Sequence, residues 1–136
     1  MSVVTELIVN EGNGCISFGN YELGAKKKLD NYEVGGNLYK VKTYCDITKL
    51  EKNGLFLYES VPGTAVHQFA MDETGVVFTV EAANDCQITL GLEENQEYMV
   101  MVDDEDLGPM ITNMGGKLSL SLEVESGVGR TVRVKK

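Results

Sequence analysis

Apolar and polar residues alternate along three stretches in the second half of the chain. They are Ile88, Leu90 and Leu92; Tyr98, Val100 and Val102; and Leu118, Leu120, Leu122 and Val124. A period of two turns one face of a strand to a core and the other to water. Between the runs stand Glu93-Glu94-Asn95, Asp103-Asp104-Glu105-Asp106 and Asn113-Met114-Gly115-Gly116, the residue types from which turns are made. The pattern predicts an antiparallel meander over 87–124, followed by a last strand from Thr131 to Lys135.

The first half carries the same signal less regularly. Leu38 to Cys45, Leu55 to Val61 and Ala65 to Met71 read as strands, and Val76 to Ala82 opens the second half. Val3 to Val9 fits a strand or a short helix, with a turn at Asn10-Glu11-Gly12-Asn13-Gly14. Cys15 to Leu23 alternates until Gly19-Asn20 breaks it. Asp46 to Lys52 has two readings. Asp46 can cap a helical turn that ends at Asn53-Gly54, or Asn53-Gly54 can close a type I′ hairpin. Ile47 and Leu50 are three apart, which places them on one helical face and favours the helical turn. Turn signals recur about every ten residues, the spacing of a sandwich or barrel. The expectation is an all-β protein of two small packed units. Residues 1–72 form an irregular meander or barrel, and residues 73–136 an immunoglobulin-like β-sandwich.

Charge changes the picture by being uneven. The net charge is -9, yet residues 1–70 carry 7 basic and 8 acidic side chains while residues 71–136 carry 5 and 13. The second half should repel nucleic acid and anionic membranes, so neither is expected as a partner. Cys15, Cys45 and Cys86 show no CxxC spacing and there is one histidine, His67. Neither a zinc site nor a disulfide framework is indicated. Reduced thiols, and an N-terminus without a basic segment or long apolar run, suit a cytoplasmic protein.

From Leu92 to Val124 the order is a polar turn, Tyr98-x-Val100-x-Val102-Asp103, Gly108, Thr112-Asn113 and Gly116-Lys117-Leu118. This resembles the immunoglobulin-like or fibronectin-type modules appended to bacterial carbohydrate-active enzymes. The whole sequence, including NLYKVKTYCDITKLEKNGLFLYESVPGTAVHQF, also resembles short acidic proteins of anaerobic Gram-positive bacteria, some of which carry the name endosialidase. These resemblances imply a β-sandwich and a connection with glycans. A sialidase needs converging arginines to clamp a carboxylate. Only Arg130 and Arg133 exist, three apart and therefore on opposite faces of the expected strand.

Candidate chemistry is otherwise sparse. Tyr21, Tyr39 and Tyr58 could stack against sugar rings, with Glu59 accepting hydrogen bonds from hydroxyls; packing within strands is the plainer role. Asp103, Asp104 and Asp106 form the sharpest carboxylate cluster and a weak candidate for Ca²⁺, although Gly108 does not fit an EF-hand loop. Lys26-Lys27-Lys28 reads as a solvated tip. Gly35-Gly36 and Gly115-Gly116 lack the strand-to-helix setting of a phosphate loop. No cofactor is expected. The sequence favours a non-catalytic binding or assembly module for a glycan or protein, with a glycan-active enzyme of endosialidase type as the alternative. Uncapped sheet edges would favour homo-oligomers.

Overall fold

The computed structural model describes residues 2–136. Among these, thirteen strands form and no helix does: β1 (Ile8–Gly12), β2 (Cys15–Phe18), β3 (Lys27–Val34), β4 (Asn37–Thr43), β5 (Thr48–Lys52), β6 (Leu55–Val61) and β7 (Ala65–Asp72), then β8 (Gly75–Glu81), β9 (Cys86–Gly91), β10 (Glu97–Val102), β11 (Glu105–Ile111), β12 (Lys117–Leu122) and β13 (Arg130–Lys135). They build two antiparallel sheets. One has the order β1-β2-β7-β8-β13-β10-β11 and the other β12-β9-β6-β5-β4-β3. Neither closes into a barrel. The sheets pack face to face over a single cluster of buried side chains, a two-layer arrangement that buries the apolar face of each.

In the first half β3, β4, β5 and β6 are a true meander, each pairing with the next. Its turns are short because their residues tolerate positive φ. Gly35 and Gly36 take φ values of 58° and 83°, and Asn53 and Gly54 take 51° and 79°. Positive φ at both central residues is the signature of a type I′ turn. The helical turn expected at 46–53 is therefore corrected to a hairpin. Thr48 and Leu50, two apart, are the buried pair on β5, and Ile47 stands outside the strand. Other first-half expectations also shift. Asn10, Glu11 and Gly12 belong to β1, with the turn at Asn13-Gly14. Lys27 and Lys28 lie in the edge strand β3 instead of at a loop tip.

The expected meander over 87–124 is corrected in its connections. Its inward residues are the alternating ones, but β9 pairs with β12 and β6, while β10 pairs with β11 and β13. Leu118 thus meets Leu90, Leu120 meets Ile88, and Val100 meets Val134. The chain crosses between sheets at 92–96 and again at 112–116. The two crossings run side by side, tied by Leu92 N donating to Gly116 O and Asn95 N to Asn113 O. The Thr112 hydroxyl donates to Glu93 O at 2.5 Å and accepts from Gln96 N at 2.9 Å. These bonds satisfy backbone groups that would otherwise be stranded at the rim of the core.

The expected boundary near residue 72 falls at the β7–β8 hairpin. Hydrogen-bonded ladders cross it in both sheets, β7 to β8 and β6 to β9.

Candidate functional site

The core is aromatic at the side built from the first strands. Phe18, Tyr58, Phe69 and Phe78 meet edge to face or tilted, at centroid distances of 5.3 to 6.3 Å, the arrangement that ring quadrupoles favour. Tyr58 is fully buried, so its phenol needs an internal partner. It shares a 2.7 Å hydrogen bond with Thr64 Oγ1, which also meets Ser60 Oγ at 2.9 Å. Thr48 Oγ1 donates to Thr64 O, accepts from Thr64 N and meets Thr43 Oγ1 at 2.8 Å. Asn20 N donates to Thr43 Oγ1. This buried network ties the links between sheets at 19–20 and 62–64 to β4, β5 and β6. Desolvation pushes the Tyr58 pKa well above the usual tyrosine range.

The four residues expected to form a binding face do not converge. Tyr58 lies inside the core, and Glu59, its neighbour on β6, faces the opposite way, across from Lys49 on β5. Tyr21 sits half-buried in the link between β2 and β3, where desolvation and the nearby Glu81 charge raise its pKa. Tyr39 alone lines an opening.

That opening is a cleft of about 400 Å³ at one end of the sandwich, between the β1–β2 and β3–β4 turns. Asn10 and Asn13 come from the first turn region, Asn37 and Tyr39 from β4, and Lys52 from the end of β5. Leu57 and Phe69, both buried, form its base, and Met71 lies beside them. The Asn10 carboxamide oxygen accepts from Gly12 N, and the Asn37 oxygen accepts from Asn53 Nδ2. Among the described residues neither Nδ2 of Asn10 and Asn37 donates elsewhere, so each can serve a ligand. No Asp, Glu or His lines this cleft. Sequence reasoning missed the asparagines because each reads as a turn residue; their gathering depends on which turns share an end of the sandwich.

The acidic tip is engaged by β13 and by its own hairpin backbone. Asp103 accepts from Thr131 N and from Arg130 Nε at 2.7 Å, which hold its carboxyl below the usual range. Asp106 accepts from Gly108 N, and Asp104 is exposed. Among the described residues no group of three or more His, Cys, Asp or Glu side chains is arranged to hold a metal ion. Arg130 also donates to Glu123 O, so its guanidinium is engaged, while Arg133 points from the other face of β13.

His67 and Glu81 face each other on adjacent strands, Nε2 to Oε1 at 3.7 Å. The Glu81 side chain is 1% exposed, and neither of these two atoms has a hydrogen-bond partner. The pair adjoins the outer side of the seven-stranded sheet, away from the cleft. Burial, then the neighbouring Asp85, push the Cys86 thiol up to about 11, whereas Cys45 is exposed.

Compared with protein families, with curated proteins and with solved structures, the chain matches none. No helix among the described residues is long and apolar enough to cross a membrane.

Proposed function

We propose that this protein is a non-catalytic binding module whose end cleft takes a glycan. The observation that carries the reading is the lining of the cleft. Carboxamides at Asn10, Asn13 and Asn37 surround Tyr39 and Lys52 over an apolar base. A carboxamide offers both donor and acceptor, as a sugar hydroxyl does, and a partly apolar cleft with a few placed polar groups is the usual form of a small-ligand site. The lack of a carboxylate in the lining supports binding without hydrolysis, because glycosidases place two carboxyl groups about the scissile bond.

A thermal-shift screen against neutral and acidic oligosaccharides tests the reading. A ligand at about a hundred times its Kd adds roughly 2.7 kcal/mol and moves Tm by several degrees. The expected result is a saturable shift that Asn10→Ala with Asn37→Ala removes. A shift unchanged in that double variant would mean that the cleft is not the site.

A further inference from the structure

The outer face of the six-stranded sheet gathers lysines in a chain that is otherwise acidic. Pairing sets Lys28 on β3 opposite Lys42 on β4, and Lys42 opposite Lys49 on β5. Neighbouring strands lie about 4.8 Å apart, so the row presents ammonium groups from roots spaced about that far. Lys40 stands on β4 two residues from Lys42. Together with Glu51, these lysines line a depression of about 170 Å³.

Like charges directly opposed across strands are destabilising, yet Lys28, Lys42 and Lys49 form such a row, while carboxylates face its neighbours, Glu51 opposite Lys40 and Glu59 opposite Lys49. Glu51 lies 3.9 Å from Lys49. Lys28, Lys40 and Lys42 have no carboxylate within ion-pair distance among the described residues. The opposition of Lys28, Lys42 and Lys49 is therefore unexplained by local stability.

The depression is also not isolated. A second shallow recess shares Lys40 and Glu51 with it, and shares Tyr39 with the end cleft. Through these shared residues the three openings adjoin as a track, from the asparagine-lined cleft, past Tyr39 and Asn53, to the lysine row. Its five lysines, Lys28, Lys40, Lys42, Lys49 and Lys52, outnumber its two carboxylates, Asp30 and Glu51, and its cleft end adds amides and one phenol over the apolar base. Lysines on β3 also guard the adjacent edge against strand addition.

We propose that this track binds an acidic polysaccharide, with neutral portions in the cleft and anionic groups along Lys28, Lys40 and Lys42. The proposal rests on the glycan reading of the cleft and adds the charge class of its ligand. Lysine suits this task as a mobile point charge, whereas fixed bidentate recognition would call for arginine. The negative charge of residues 71–136 orients an approaching polyanion toward the lysine face.

Binding of the full chain to immobilised polygalacturonate, dextran sulfate, uncharged dextran and poly-glutamate tests this at low and moderate salt. Carboxylated and sulfated polysaccharides should both be retained if charge alone is read, and polygalacturonate alone if carboxylate geometry matters. K28Q/K40Q/K42Q should weaken binding about tenfold, and added salt should weaken the native protein similarly. The charge-matched control R133Q/K135Q/K136Q, on the other sheet, should bind as the native protein does. Equal binding by K28Q/K40Q/K42Q, no retention on either acidic polysaccharide, or equal retention on poly-glutamate would overturn the proposal. The double variant N10A/N37A separates the two claims. If it binds normally while the lysine variant does not, the cleft reading fails and the lysine face stands as an anionic-glycan site. If only the cleft variant loses binding, the lysine proposal fails.

Discussion

The two sides of the sandwich keep order by different means. On the side of β9, β10, β12 and β13 the core is aliphatic apart from Cys86 and Tyr98, and strict alternation along each strand delivers Leu118, Leu120, Val132 and Val134 to it. On the side of β2, β5, β6, β7 and β8, four aromatic rings fill the core, and a buried hydroxyl network holds the crossing links. The first kind of order relies on burial, which is tolerant of detail. The second relies on directional bonds, which are costly to leave unmade. The surfaces differ in the same sense. The aliphatic side carries the acidic β10–β11 hairpin, tied to β13 through Asp103, and the aromatic side opens into the cleft and lysine track.

The sharpest way to break this contrast is to empty the aromatic cluster. Phe78→Ala should cost about 3–5 kcal/mol in chemical denaturation, because a ring leaves a larger cavity than the aliphatic side chain lost in Leu120→Ala. Equal losses would mean that the cluster packs no better than the aliphatic side. Next comes the network. Thr48→Val strips partners from Thr64 N, Thr64 O and Thr43 Oγ1, and should cost roughly 2–3 kcal/mol. Thr112→Val, at the crossings on the other side, loses two bonds nearer to solvent and should cost about 1 kcal/mol.

A third effect belongs to alkaline solution. The Cys86 pKa is raised to about 11, so the folded state keeps the thiol protonated where the unfolded chain ionises. Its contribution is complete below the ordinary thiol value of about 8.5 and is lost as pH rises through about 11. Above about 10 the raised Tyr58 pKa adds to the same trend. Stability measured against pH should therefore decline from about 8.5 upward, and Cys86→Ala should flatten the first part of that decline. The exposed Cys45 should react with a maleimide in the native protein, and Cys86 only after unfolding. The smallest expected effect is a gain. K28Q/K42Q relieves the opposed lysines and leaves Lys40 across from Glu51, so its denaturation midpoint should rise by the equivalent of about 0.5 kcal/mol at low salt.

The same contrast explains what could be read in the sequence. The inward faces of β9, β10 and β12 were legible because period two needs only residue type. Which strands neighbour one another was not, since alternation states which face is buried and is silent on partners. A meander and a chain crossing between sheets give the same pattern. Residues 46–53 misled for a related reason. Ile47 and Leu50 suggest a helical face, but Thr48, buried for its hydrogen bonds, is the true companion of Leu50. Tyr58 looked like a surface phenol because its partner Thr64 lies beyond a Pro-Gly turn. Of the residues expected to bind, Tyr39 reaches the cleft; Asn10, Asn13 and Asn37 are brought together by turns from both sheets that share one end of the sandwich, and the lysine row by the register of β3, β4 and β5.

The central claim is that one side of the sandwich is the binding surface and the other its support. Amide chemical-shift mapping of the ¹⁵N-labelled protein during titration with polygalacturonate oligomers tests it most directly. The account predicts saturable shifts at Asn10–Gly14, Asn37–Lys42 and Lys49–Asn53, with the β10–β11 and β12–β13 regions unmoved. Shifts concentrated around Asp103, Glu123 and Arg130, or none at any residue, would contradict it.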